Sequence, residues 1–215
     1  VSHSLSPLIH NTLYEIYGIG CNYAIHEVMP GELGNFIKEV PQMNLRGFNI
    51  TMPYKKEIIP YLSENPQVGS VNTVAVREGM LIGTSTDEAG FARSLDEEGF
   101  SYRNKKIVFI GAGAVTGILA RDAAAKGANT ITLLNRTLAN AQEIAKETGA
   151  RADVFDSKKT YRCIAQCDLL VNTTPLGMKG CPGFESFAFL ESLRPNTLVC
   201  DLIYHPFTTQ LLLEA

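Results

Sequence analysis

No apolar run in this 215-residue sequence approaches the ~18 residues needed to span a bilayer, and no secretory-leader pattern is visible. Charge of one sign is equally scarce. Nineteen Lys and Arg against 22 Asp and Glu leave a formal net charge of −3. That balance gives no electrostatic footprint for nucleic acid or an anionic membrane surface. The five cysteines (21, 163, 167, 181 and 200) form an odd, scattered set. The Cys163-x-x-x-Cys167 pair has neither a second pair nor nearby histidines, which argues against a zinc site. The four histidines (3, 10, 26 and 205) have no metal spacing and no serine-nucleophile context, so no metal is expected. Reduced thiols in a cytoplasmic protein are the plain reading. The ends carry neither an initiator Met nor a helix-stop signal after "TTQLLLEA", and terminal segments are expected beyond Val1 and Ala215.

What is present is an apolar content of 45 %, ample for a packed core, in a pattern that changes near residue 100. Before that point the periodicity predicts a helix over Leu8–Tyr17, with Pro7 suited to its first turn, and a strand over Cys21–Val28. A second helix is predicted within residues 31–40 and a strand in "RGFNITM". "YKKEIIPYL" reads as a short helix that Pro60 bends or ends. "SVNTVAVREGMLIGTSTD" predicts two strands turning at Glu78-Gly79, followed by a helix over residues 87–99. From Lys105 onward, continuous apolar strands alternate with helices: "KKIVFI", an Ala-rich helix, "TITLLN", a helix in "NAQEIAKETGA", then "CDLLVN" and "NTLVCDLIY". Such alternation predicts a parallel sheet buried on both faces. The fold class is therefore α/β, with two domains over residues 1–97 and 98–215.

"IVFIGAGAVTG" sets Gly111 and Gly113 directly after a strand and at the start of a helix. Glycines there permit a tight turn and close approach of a pyrophosphate to a helix N-terminus. The third position of the motif is Thr116, small enough for close helix–strand packing, with Gly117 next. A bare βα turn would use the same glycines. The next strand ends "LLNRT", with no Asp or Glu to hold a ribose 2′-hydroxyl and with Arg136 free to accept a 2′-phosphate. NADP is favoured over NAD, unless Arg136 is an ordinary surface cation.

"FNITMPYKKEII" poses a different problem. Lys55 and Lys56 fall in what reads as the first turn of a helix, where unpaired N–H groups and the macrodipole disfavour cations. Taken with "SHSLSPLIHN", "GFNITMPYKK", "GSVNTV", "GTSTDEAGF", "GAGAVTG", "NRT", "NTTPLGM" and "DLIYHP", the sequence resembles the shikimate dehydrogenase family, including its quinate/shikimate members, over essentially its whole length. The resemblance implies a substrate-binding domain followed by a Rossmann-type NADP-binding domain, with the active site in the cleft between them. It also implies reversible, NADP-dependent reduction of 3-dehydroshikimate to shikimate in aromatic amino-acid biosynthesis, by a monomer or homodimer. Dual specificity for quinate, or a catalytically silent relative that senses cofactor or metabolite, are the alternatives.

Residue by residue, the resemblance makes Lys55 and Asp87 the catalytic pair. Ser4 and Ser6 would bind the substrate carboxylate, or cap the helix begun by Pro7; Thr51, Asn72 and Tyr204 would line the ring, unless Tyr204 is a core residue. Gly111, Ala112, Gly113, Ala114, Asn135, Arg136 and Thr137 would contact the cofactor, with Thr173, Met178 and Ile203 near its nicotinamide. A first-turn field favours a neutral lysine and a nearby carboxylate opposes it, which suits Lys55 to proton transfer. Lys56, about 100° further round the helix, is expected to be solvated. The sequence departs from the family at Ser85, where an Asn is usual before Thr-Asp, and near Asn140, where a second basic residue is frequent. The segments "YLSENPQVGS" and "GMKGCPGFES" are shorter than usual, and the family's C-terminal glutamine and closing helix are not in the sequence.

Overall fold

The computed structural model describes residues 4–64, 66, 69–155 and 157–215; His3 lies outside them. The chain separates into two compact units, residues 1–46 and 47–215. In the first, α1 (Ser6–Ile16) carries Pro7 in its opening turn and ends where Gly18 takes φ 62°. None of its residues is buried. Helix α2 (Leu33–Glu39) runs into a 3₁₀ turn over Val40–Gln42 and buries Leu33, Phe36 and Val40.

One expectation fails here. Cys21–Val28 forms no strand among the described residues. The Asn11 side chain occupies the edge instead: its amide donates to Tyr23 O at 2.9 Å and its carbonyl accepts from Tyr23 N at 2.7 Å. An alternating pattern makes a strand only where a neighbouring strand supplies the ladder.

The second unit holds two sheets. In the smaller, β1 (Gly47–Asn49), β2 (Thr73–Arg77) and β3 (Met80–Thr84) pair antiparallel in sequence order. The β2–β3 hairpin turns at Glu78 (φ 50°) and Gly79 (φ 78°), a left-handed pair whose twist suits a two-residue connection. Between β1 and β2 lies α3 (Tyr54–Glu57), a single turn followed by a 3₁₀ turn at Ile59–Tyr61 that contains Pro60. Helix α4 (Asp87–Glu97) follows β3.

The larger sheet is wholly parallel. Its strands are β4 (Lys106–Ile110), β5 (Thr130–Asn135), β6 (Arg151–Val154), β7 (Leu169–Asn172) and β8 (Leu198–Asp201), in the order β6-β5-β4-β7-β8. Helices α5 (Ala114–Ala125), α6 (Leu138–Thr148), α7 (Ser157–Ile164) and α8 (Gln210–Glu214) connect or follow them. Gly149, at φ 69°, closes α6 in the left-handed conformation. One face of the sheet packs Ile107, Phe109, Leu133, Leu169 and Val171 with Phe91 and Leu95 of α4 and Leu119 of α5. The other packs Val108, Ile110, Leu134 and Leu170 with Ile164, Leu190 and Leu211. Burial on both faces is why the inner strands β4, β5 and β7 carry nearly continuous apolar runs rather than alternating ones. The strand order reverses between β4 and β7, and ligands of open α/β sheets bind beyond the carboxyl ends of strands at such a point.

The fold also ranks the five thiols. Cys21 is exposed and Cys167 buried, and burial pushes the Cys167 thiol up to about 12 and the Cys200 thiol up to about 11. Because the thiolate is the reactive form, maleimide labelling of the native chain followed by peptide mass mapping should modify Cys21 first. Cys167 and Cys200 should label only after denaturation.

Candidate active site

Two clusters of polar side chains occupy the second unit, one beside the small sheet and one at the carboxyl edge of the large sheet. The first begins where β1 ends. Chain direction reverses through Thr51–Pro53, Tyr54 N donates to Thr51 O at 3.0 Å, and α3 presents Lys55. Val71 N donates to Lys55 O at 2.8 Å, which ties that turn to the segment entering β2. Lys55 Nζ lies 2.8 Å from Asp87 Oδ2, with the two side chains only 16 % and 23 % exposed. The carboxylate's other oxygen accepts from Asn72 Nδ2 at 2.7 Å. Asn72 Oδ1 in turn accepts from Thr86 N at 3.0 Å and Thr73 Oγ1 at 2.9 Å. Both oxygens of Asp87 are thus directed by neighbours, and its Cα is fixed by the start of α4. An ion pair withdrawn this far from water needs such supplementary hydrogen bonds to offset its desolvation.

This geometry revises one premise. Helix α3 is only one turn, so its first turn is also its last, and the field of a long helix does not act on Lys55. What holds the ammonium is Asp87. Lys56, next in sequence, is exposed, as its angular position predicts. The departure at Ser85 leaves a buried hydroxyl with no hydrogen-bond partner among the described residues. The loop keeps its course through the Asn72–Thr86 contacts instead. Of the other predicted ring contacts, Thr51 is exposed, and Tyr204, at 62 % exposed, is not a core residue.

In the first unit, Ser4 Oγ accepts from Ser6 N at 3.2 Å, so Ser4 does serve the opening of α1. The Ser6 side chain is hydrogen-bonded to Tyr23, whose phenol burial pushes above its ordinary value while that bond pulls it down. Both serines are half-buried.

The second cluster surrounds the end of β4. Gly111 has φ 119°, which L side chains rarely adopt, and a Cβ there would collide with Thr173 Oγ1 and lie 3.0 Å from Thr174 Cγ2. At Gly113, the N-cap of α5, a built Cβ meets nothing within 4 Å. The glycine turn is therefore closed on the protein side and open on the other, as a dinucleotide pyrophosphate requires. At the end of β5, Asn135 Nδ2 donates to Thr137 O at 2.8 Å. Arg136 is exposed with no carboxylate partner among the described residues, so its guanidinium remains available to a 2′-phosphate. The residues present fit NADP. The structure also brings the loop beyond β7 to the same edge: Thr173 N donates to Ile110 O at 2.9 Å, and Ile203 Cδ1 lies 4.0 Å from the built Cβ position at Gly177.

Sequence reasoning passed over Asn172, Asp201 and Thr209. Asn172, fully buried, donates to Asp201 Oδ1 at 3.0 Å and accepts from Thr174 N and Thr174 Oγ1 at 3.0 and 2.7 Å. Asp201 also accepts from Ile203 N at 3.1 Å and Thr209 Oγ1 at 2.7 Å. These bonds set the course of the 173–178 loop and of the residues after β8. Their only sequence signal was a polar residue at the end of each apolar strand.

Comparison with known proteins gives the arrangement its lineage. Residues 1–74 match the family described as shikimate dehydrogenase substrate binding domain, and residues 94–176 match shikimate / quinate 5-dehydrogenase. A shikimate dehydrogenase (NADP(+)) of Alkaliphilus oremlandii is 36 % identical over 227 residues, covering 100 % of this chain and 79 % of that protein. The crystal structure of a Listeria monocytogenes shikimate 5-dehydrogenase in complex with shikimate and NAD has a TM-score of 0.85 at 34 % identity. It covers 100 % of this chain and 79 % of its own. That of the Thermus thermophilus enzyme with NADP(H) and shikimate has a TM-score of 0.85 at 30 % identity, with 100 % and 80 % covered. Likeness of this extent, in sequence and in backbone alike, means that the chain belongs to the shikimate dehydrogenase family.

Proposed function

We propose that this chain catalyses the reversible, NADP-dependent reduction of 3-dehydroshikimate to shikimate, an oxidoreductase step of aromatic amino-acid biosynthesis. The observation that carries the chemistry is the Lys55–Asp87 pair at 2.8 Å, with Asn72 on the second carboxylate oxygen. Reducing a ketone to an alcohol adds a hydride to carbon and a proton to oxygen. NADPH supplies the hydride when bound. Lys55 supplies the proton: its ammonium donates to the carbonyl oxygen in reduction, and its neutral amine takes the hydroxyl proton in oxidation. Asp87 aims the ammonium and accepts a hydrogen bond from a substrate hydroxyl.

The remaining assignments belong to the same proposal. Ser4 and Ser6 bind the substrate carboxylate, while Thr51, Asn72 and Tyr204 line its ring and hydroxyls; the exposure of Tyr204 leaves its phenol accessible to a ligand. Gly111, Ala112, Gly113, Ala114, Asn135, Arg136 and Thr137 carry the adenine-side and pyrophosphate contacts. Thr173, Met178 and Ile203 flank the nicotinamide. We place the boundary between substrate and cofactor domains at residues 97/98, where α4 ends.

Losing one positioned proton-transfer group typically lowers the rate ~10²–10⁴-fold. Lys55→Ala is therefore expected to reduce kcat for shikimate oxidation by that factor while the Kd for NADP⁺ stays near the parent value. Near-normal turnover in the variant would remove Lys55 from the chemistry. For the cofactor, Arg136→Ala should raise the KM for NADP⁺ about tenfold or more, the range of a charge-assisted hydrogen bond, with the KM for NAD⁺ little changed. Equal losses with both cofactors would show that Arg136 does not read the 2′-phosphate.

A further inference from the structure

Thr116 stands at the third position of the glycine motif, where packing alone asks only for a small side chain. It is fully buried and makes two hydrogen bonds that no packing argument requires. Its Oγ1 accepts from Gly113 N at 3.1 Å and lies 2.7 Å from Thr173 Oγ1. Thr173 Oγ1 in turn donates to Ile110 O at 2.8 Å. A hydroxyl carries one proton. Because the Thr173 proton goes to Ile110, Thr116 must be the donor between the two threonines. The direction of the whole chain follows: Gly113 N–H to Thr116, Thr116 O–H to Thr173, Thr173 O–H to the carbonyl that ends β4.

Three segments meet in this chain of bonds. Gly113 and Thr116 belong to the glycine turn and the first turn of α5, Ile110 ends β4, and Thr173 opens the loop after β7. The segments are so close that a Cβ at Gly111 would collide with the Thr173 hydroxyl itself. Hydrogen bonds in series polarise one another, and buried ones hold their geometry because breaking one strands its partners. Gly113 N–H is thereby committed internally. The N–H groups of Ala114 and Val115, in the first turn of α5, lie outside the intrahelical ladder and would be the ones left to meet an anion at this turn.

We propose that Thr116 is a positioning residue for the cofactor: through Thr173 its hydroxyl locks the pyrophosphate turn to the nicotinamide-side loop, so that both are set before the dinucleotide binds. This rests on the NADP reading above. A preformed site spends less binding free energy on ordering, so the lock acts on cofactor affinity and not on proton transfer or substrate binding.

The test uses the full-length chain with Thr116→Val, which keeps the shape and removes the hydroxyl, and Thr116→Ser, which keeps the hydroxyl. Thr116→Val should raise the Kd and KM for NADP⁺ about three- to tenfold, the range of one or two neutral hydrogen bonds. The KM for shikimate and kcat should change less than about twofold, and Thr116→Ser should restore cofactor affinity. A Ser variant as weak as the Val variant, or parallel rises in both KM values, would reduce Thr116 to a packing residue and overturn the proposal. The lock itself is read independently of any cofactor by a thermal-stability cycle of Thr116→Val, Thr173→Val and their double. The double variant should lose clearly less than the sum of the two single losses, because the bond between the threonines is counted in both, whereas additive losses would deny the coupling. If the unmodified chain fails to bind NADP⁺, the cofactor reading falls and takes the affinity role with it. That result is distinct from failure of the lock, which the stability cycle still measures.

Discussion

An ammonium and a carboxylate 2.8 Å apart, each less than a quarter exposed, impose the main constraint on residues 47–97. Withdrawing two charges from water is expensive, and mutual attraction compensates only when the remaining hydrogen-bonding capacity is satisfied. The chain meets that demand with short, dissimilar pieces. Lys55 comes from a one-turn helix after β1, Asp87 from the first position of α4 after β3, and Asn72 from the residue just before β2. The small antiparallel sheet is the frame that brings these three ends together, since Ile50 N donates to Asn72 O and Asn72 N donates to Thr84 O. Displacing any of the three strands by one residue would invert side-chain direction at its end and break the cluster.

The larger sheet obeys a different constraint. Its inner strands are buried on both faces, so polar groups at their carboxyl ends need partners within the protein. Asn172 with Asp201, and Thr116 with Thr173, are two solutions to that requirement at neighbouring strand ends. Each uses a buried polar side chain to hold a loop that apolar packing cannot hold. At this edge the space where a Cβ of Gly113 would sit stays open.

Much of this was legible in the sequence because the informative signals were local. Continuous apolar runs marked β4, β5, β7 and β8, and a glycine pair after a strand marked the cofactor turn. Strand β6 was passed over because Arg151–Val154 is short, polar and at the sheet edge, where only one neighbour selects its residues. Cys21–Val28 misled in the other direction: alternation was present but Asn11 took the place of a neighbouring strand. Lys55 was found through its motif, although the helix-dipole argument for its chemistry assumed a helix longer than the single turn that forms. Thr116 read as a small packing residue because its partner lies 57 positions away. Asn172 and Asp201, 29 apart, were hidden for the same reason. Polar networks are defined by long-range contacts, and no local period announces them.

In the function proposed above, the two clusters serve one reaction, hydride exchange between NADP and shikimate with Lys55 moving the proton. Initial rates of cofactor reduction at mildly alkaline pH, with shikimate or quinate offered alongside NADP⁺ or NAD⁺ to the full-length chain, test it most directly. Turnover predominantly with shikimate and NADP⁺ is expected. Comparable rates with quinate or NAD⁺ would contradict the assigned specificity, and absence of turnover in all four pairings, from a chain that still binds NADP⁺, would contradict the catalytic reading itself.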